Sequence, residues 1–252
     1  MESLNMKTLL IDIETAPVSA FAWGLFKQTI NPDWVTDSGR VLCFAAKWLG
    51  DDDITFVSEH GTKGAHKRMI RRAHALLSEA DALVHYNGNS FDVPTLNKEF
   101  LQYGMRPPSP AANIDLLRVM RKTFRFPSNK LAFIAKSLGI GGKLPHCGPA
   151  MWLQCMEGDA DAWAAMEAYN RQDVVVLEDV YFRLLPWIQD HPHTGVRSDS
   201  PEACPNCGGT HLQARGWAYT RLSKYRRFQC TDCGTWTRGS KRELGAKIQV
   251  AV

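Results

Sequence analysis

No apolar run in this 252-residue chain approaches the ~18 residues that a membrane span requires, so no membrane partner is expected. The N-terminal stretch MESLNMKTLLIDIET lacks a secretory signal's order of basic start, apolar core and small-residue cleavage site, and a cytoplasmic protein is expected. A disulfide framework is also missing. The seven cysteines are odd in number, with four in two CxxC pairs near the C-terminus and Cys43, Cys147 and Cys155 scattered. In a reducing compartment this reads as one metal site plus three buried thiols. Nor is there a phosphate-binding loop. The string GIGGK suggests one, but GxxxxGK[ST] needs glycine at position 137, where Ser stands, and Ser or Thr at 144, where Leu stands.

What is present has ordinary globular composition, 44% hydrophobic and 22% charged, in a length that can hold one full core and a small accessory domain. Charge is unevenly spread. From Ser200 onward there are 9 Lys/Arg against 3 Asp/Glu, a net of +6, which leaves 21 against 23, or −2, for everything before. A basic tail domain on a slightly acidic one points to a polyanionic partner.

The run Leu9-Leu10-Ile11-Asp12-Ile13-Glu14-Thr15 organises the rest. Its aliphatic residues suit a strand buried on both faces of a sheet. Asp12 and Glu14, two residues apart, point to one side of such a strand. A buried pair of like charges is costly unless a cation neutralises it.

Further along, Ala16 to Gly39 reads as an irregular aromatic-rich loop. Val41–Leu49 and Asp53–Ser58 read as a hairpin, and Lys63–Glu79 as an amphipathic helix. Ala82–Tyr86 is a short strand, followed by the turn Asn87-Gly88-Asn89-Ser90 and a helix that starts near Asp92 and runs to about Tyr103. An aspartate in that place is also a natural helix cap. Asn113–Leu117 is a strand or a strand-to-helix junction, with Asp115 a supporting residue or cap, and Lys130–Leu138 is a short helix. The longest helix runs from Asp159 to about Ile188. It carries Tyr169 and Asp173 four residues apart, on one face. The composition of 190–203 is that of a linker.

Asp12-x-Glu14, Asn87-x3-Phe91-Asp92 and Tyr169-x3-Asp173, in that order, resemble the three motifs of the DnaQ-like, or DEDD, 3′→5′ exonucleases of the tyrosine subtype. The stretch from Asp115 through Lys143 is similar to the exonuclease domains associated with B-family DNA polymerases. The resemblance covers about residues 7–186. It implies an α/β, ribonuclease H-like fold: a five-stranded mixed sheet with helices on both faces and the acids at one end. It implies two Mg²⁺ or Mn²⁺ ions, whose hard character suits carboxylate oxygens. Asp12 would bridge both, Glu14 and Asp173 would complete one site, Asp92 would support the other, and Tyr169 would orient the attacking water. Asn87 and Phe91 would contact the terminal nucleotide or shape the turn, and Lys143 would touch phosphate or stand in solvent.

Near the C-terminus, Cys204-Pro-Asn-Cys207-Gly and Cys230-Thr-Asp-Cys233-Gly form two near-identical knuckles separated by 22 residues. Four such thiolates indicate one structural Zn²⁺, closed to catalysis, and the module resembles a zinc ribbon. Between the knuckles, strand alternation would place Arg215, Trp217, Tyr219 and Arg221 on one face, with Arg226 and Arg227 on the returning strand. Cations for phosphates and rings for bases suit single-stranded nucleic acid; a small domain also uses aromatics as core.

The expected organisation is therefore an exonuclease domain over 1–189, a linker over 190–203 and a zinc ribbon over 204–252. The expected activity is metal-dependent 3′→5′ hydrolysis of nucleic-acid ends, single-stranded DNA first. Two alternatives stand: an exoribonuclease, and a non-catalytic nucleic-acid binder or polymerase partner. The ribbon could also recruit a replication or repair protein.

Overall fold

The computed structural model of the chain describes residues 6–24, 26–141 and 148–247. Two compact units are present, Lys7–Val180 and Tyr181–Val252. The candidate phosphate contact Lys143 and the thiol Cys147 lie outside the described residues.

In chain order the first unit carries β1 (Thr8–Thr15), β2 (Ser19–Ala20), β3 (Val35–Asp37), β4 (Val41–Trp48), β5 (Ile54–Ser58), α1 (Ala65–Glu79) and β6 (Ala82–His85). It continues with α2 (Asp92–Gln102), β7 (Ala112–Asp115), α3 (Leu116–Thr123), α4 (Leu131–Ser137), α5 (Pro149–Glu157) and α6 (Ala160–Leu184). Five strands form one mixed sheet in the order β5-β4-β1-β6-β7. β1 is its centre, antiparallel to β4 and parallel to β6, and β6 is parallel to β7. The ribonuclease H-like architecture read from the sequence is the one observed.

Alternation along β1 sorts its side chains between two cores. Leu9, Ile11 and Ile13 pack with Met69 and Ile70 of α1 and Leu96 and Phe100 of α2. On the opposite side Leu42 and Cys43 pack with Met151 and Cys155 of α5 and Trp163, Met166 and Tyr169 of α6. Helices therefore cover both faces, and the even-numbered Asp12 and Glu14 turn toward the α5–α6 side.

Two parts of this unit differ from the sequence reading. The 16–39 stretch is not wholly irregular: β2 pairs with β3 around a 3-10 turn at Pro32–Trp34, and Trp23 lies against Trp34 with ring centroids 5.1 Å apart. Helix α5 has no counterpart in that reading, because glycines bracket its nine residues and its burial rests on just Met151 and Cys155.

The second unit begins with the last turn of α6 and the 3-10 turn Leu185–Trp187, and continues through α7 (Thr194–Arg197). Then come β8 (Leu212–Tyr219), β9 (Ser223–Cys230) and β10 (Trp236–Gly245), an antiparallel sheet in the order β10-β9-β8. Residues 190–203, expected as a linker, are packed into this unit instead. His191, 8% exposed, meets the Tyr181 hydroxyl through Nε2 at 2.9 Å, and Ala203 is 4% exposed. Polar composition concealed this, because few residues carry the burial.

Among the described residues no helix is long and apolar enough to cross a membrane.

Candidate metal centres and nucleic-acid interface

Asp12, Glu14 and Asp173 converge: one carboxylate oxygen from each lies within 4.8 Å of the other two. Three like charges so close, one on a residue only 4% exposed, repel strongly without a cation between them. Hard oxygen donors in this number fit Mg²⁺ or Mn²⁺.

Each acid of β1 is held by a neutral donor. Asn170, fully buried on α6, donates from Nδ2 to Asp12 Oδ2 at 2.7 Å and to the Asp12 carbonyl at 3.3 Å. Trp152 of α5 donates from Nε1 to Glu14 Oε2 at 3.1 Å. Neither residue was singled out from the sequence. Asn170 follows Tyr169 directly, but nothing in a string of residues shows an amide reaching across 158 positions.

Asp92 arrives from the other side. β6 pairs with β1 only as far as Leu10, and the Ile13 N–H beyond that ladder donates to Asp92 Oδ1 at 3.2 Å. The helix-cap alternative fails, since the N-cap of α2 is Phe91 and Asp92 is its first helical residue. Asp92 stands outside the three-carboxylate group, yet its partner is the residue between Asp12 and Glu14. Burial is the main reason its carboxyl is pushed up to about 6; the Ile13 N–H works against that rise, and Asp115 adds to it. A nearby cation would restore its charge.

Tyr169 is 6% exposed and sits in the apolar cluster with Cys43 and Met166, its ring edge-on to Trp152 at 6.0 Å. Cys43 pairs across the ladder with Glu14, and its thiol is pushed well up, first by burial and then by Glu14 and Asp12.

The turn after β6 is built around Asp115 and His85. Asp115 is the N-cap of α3, accepting from the Leu117 N–H at 3.0 Å, and it also accepts from the Asn87 N–H at 3.0 Å. Asn87 thereby takes a left-handed backbone, φ 72°. His85 is fully buried, accepts from the Gly88 N–H at Nδ1 (3.0 Å) and faces Asn113 Oδ1 through Nε2 (3.2 Å). These partners assign the neutral Nε2–H tautomer, and burial lowers its pKa. A Cβ on Gly88 would lie 2.3 Å from the His85 ring, so only glycine fits there. Phe91, 43% exposed, closes the turn.

In the second unit Cys204, Cys207, Cys230 and Cys233 also lie within 4.8 Å of one another. The Cys204–Cys233 and Cys207–Cys230 sulfurs are each 3.7 Å apart. A zinc tetrahedron with bonds near ~2.3 Å has edges of about 3.8 Å, so the cage fits Zn²⁺. The knuckles match in backbone too: Gly208 N–H donates to Cys204 O at 2.9 Å and Gly234 N–H to Cys230 O at 3.0 Å. Asn206 anchors the first knuckle, donating to the carbonyls of Leu185 (2.7 Å) and Ile188 (2.9 Å).

The single basic-aromatic face expected on β8 is not formed. The ladder shifts between Ala214 and Trp217, where Gly216 has φ +74° and two residues oppose one on β9. One extra residue reverses the alternation, so Arg215 faces away from Trp217 and Tyr219. Trp217 instead carries Lys224 (4.0 Å) and Arg226 (5.0 Å) over its ring. The opposite face pairs Arg227 with Trp236 at 4.9 Å and Arg238 with Tyr225 at 4.0 Å. Arg221 lies beyond the end of β8, in the turn.

This sheet order and these convergent carboxylates define a class, and the RNase_H superfamily family model matches residues 35–185. The chain belongs to that superfamily. The match starts after β1, so it does not include Asp12 and Glu14. Among solved structures the fold is similar to that of the family B DNA polymerase from the hyperthermophilic archaeon Pyrobaculum calidifontis. The TM-score is 0.54 and the identity 17%, over 86% of this chain and 31% of that one. The chain thus spans under a third of that polymerase, and at this identity the likeness concerns the fold. A search of curated proteins gives no match.

Proposed function

We propose that the protein is a metal-dependent 3′→5′ exonuclease acting on single-stranded DNA ends. The observation that carries this reading is the convergence of Asp12, Glu14 and Asp173 within 4.8 Å on a ribonuclease H-like sheet. Two divalent ions bound among these carboxylates would make a water nucleophilic and stabilise the leaving oxygen. The chain's own residues supply the positioning. Asn170 and Trp152 fix the oxygens of Asp12 and Glu14, and the Ile13 N–H holds Asp92 against β1. Tyr169 borders this site and orients the attacking water by hydrogen bonding; an unperturbed phenol, with a pKa near ~10, is a poor base at neutral pH. The Asn87–Phe91 turn shapes the terminal-nucleotide site. Zn²⁺ at the four cysteines is structural, and the ribbon's cations and rings add affinity for the strand.

The test is digestion of 5′-labelled DNA and RNA strands with Mg²⁺ or Mn²⁺. Stepwise shortening from the 3′ end, silenced by EDTA, is expected, with DNA degraded faster than RNA. Internal cuts, or hydrolysis that survives thorough chelation, would overturn the reading; faster loss of RNA would reassign the substrate.

A further inference from the structure

Between Asp115 and Glu157 the sequence has seven Lys/Arg and not one acidic residue, in a part of the chain that is otherwise net acidic. Four of these cations, Arg118, Arg121, Arg125 and Lys130, are exposed, and no carboxylate pairs with them among the described residues. A surface normally mixes its signs; a one-sign stretch is a field that concentrates anions.

Local structure turns this stretch into a groove. α3 delivers Arg121 at its C-terminal turn, and the chain continues through Phe124 and Phe126, whose rings meet edge-on at 6.2 Å. The loop then folds back, because the Tyr86 hydroxyl donates to the Asn129 carbonyl at 2.7 Å. Two adjoining concavities result, sharing Arg121 and Asn129; one is lined also by Tyr86 and Lys130, the other by Lys122 and Arg125. Arg121 is close enough to Tyr86 to oppose the rise in its pKa that burial and Asp115 cause.

Topology aims the groove at the acidic site. β1, β6 and β7 run parallel, so their C-terminal ends share one edge of the sheet. The carboxylates lie at the end of β1, the Asn87 turn at the end of β6, and Asp115 with α3 at the end of β7. At ~4.8 Å per strand, β7 is about 10 Å from β1, with the Asn87–Phe91 turn between. Tyr86, which lines the groove, is the neighbour of Asn87.

We propose that this groove binds the sugar-phosphate backbone of the single strand whose 3′ end occupies the acidic site, with Arg121, Arg125 and Lys130 on successive phosphates and Phe124 and Phe126 against bases. The inference rests on nucleic acid being that site's ligand. It makes the first unit a strand binder in its own right, separate from the ribbon.

The test compares the full chain with its Arg121→Glu/Arg125→Glu/Lys130→Glu variant, after circular dichroism and thermal melting show that both are folded. If reversal prevents folding, the triple Gln variant takes its place. Anisotropy of a labelled 15-mer, measured across a salt series in buffer free of Mg²⁺ and Mn²⁺ but without chelator, so that the cysteine cage keeps its zinc, reads binding without cleavage. The affinity should fall at least tenfold on charge reversal. The slope of log affinity against log salt should flatten by about 2, near ~0.7 for each of three lost phosphate contacts on a single strand. With Mn²⁺, KM for the 15-mer should rise by a similar factor, while hydrolysis of bis-p-nitrophenyl phosphate, too small to reach the groove, should be unchanged. Unaltered affinity and slope overturn the groove whether or not the enzyme cuts, as does failure of the unmodified chain to bind any strand at low salt. A chain that binds and loses binding on reversal, yet cuts nothing, retains the groove and refutes the nuclease reading.

Discussion

The two candidate metal centres differ in how they are built. The cysteine cage draws its four ligands from two knuckles of one pattern, each closed by a local glycine N–H. The acidic cluster draws on β1 and α6, with residues separated by about 160 positions, and depends on α5 and α2 for the groups that hold it. A locally closed cage needs its ion to fold; a centre held by a packed sheet needs its ion to react. Removing ligands should therefore unfold the cage and leave the stability of the acidic unit undiminished.

The largest change expected is at the cage. Structural zinc in small domains contributes on the order of 10–16 kcal/mol of apparent binding energy, nearly all of it folding energy. Cys204→Ser should lose the zinc, and the amide signals of β8–β10 should collapse to the narrow dispersion of unfolded chain in NMR spectra. Retained dispersion with no metal would erase the distinction between the centres.

Next is Asp12→Ala with Glu14→Ala. Hydrolysis should drop by well over the ~10²-fold that losing an outer partner of a metal ligand costs. Without divalent ions the variant should melt no lower than the unmodified chain, because repulsion around Asp173 is relieved. Single-turnover cleavage and melting curves in EDTA check the two halves separately.

Asn170→Ala should act between these limits. Deleting the donor leaves Asp12 Oδ2 without its 2.7 Å partner, at a cost of about 1–3 kcal/mol in stability. Metal affinity should weaken by ~10–100-fold, as for other outer partners. A calorimetric Mn²⁺ titration that matches the unmodified chain would reduce Asn170 to packing.

The smallest effect concerns pH. His85 has a folded pKa lowered, mainly by burial, from an ordinary value near ~6.5. Its contribution to stability is therefore present above pH ~6.5 and is lost as pH falls through the lower folded value. Ring ¹⁵N shifts should show the Nε2–H tautomer persisting below pH 6.5. A titration midpoint at or above that value would contradict the hydrogen bond from Gly88.

Legibility follows the same division. The cage was plain in the spacing of four cysteines, because its geometry is set within a few residues of each knuckle. The β1 run and the place of Asp173 on a long helix were also plain, since burial and period leave their marks on neighbouring residues. Which side of β1 the acids face follows from simple alternation, and the odd-numbered Leu9, Ile11 and Ile13 show it. The same rule misplaced Arg215: one left-handed glycine at 216 inserts a residue into the ladder and reverses every face beyond it. Asn170 and Trp152 were silent in the sequence, as was the packing of 190–203 around His191, because a hydrogen bond between distant positions leaves no periodic trace. The sequence by itself determined that Asp12, Glu14 and Asp173 would gather, that the four cysteines would do the same, and which strands would be buried. Only the tertiary structure decided which neutral groups hold the acids in place, since those partners are selected by the packing of α5 and α6 on the sheet and not by any neighbour along the chain.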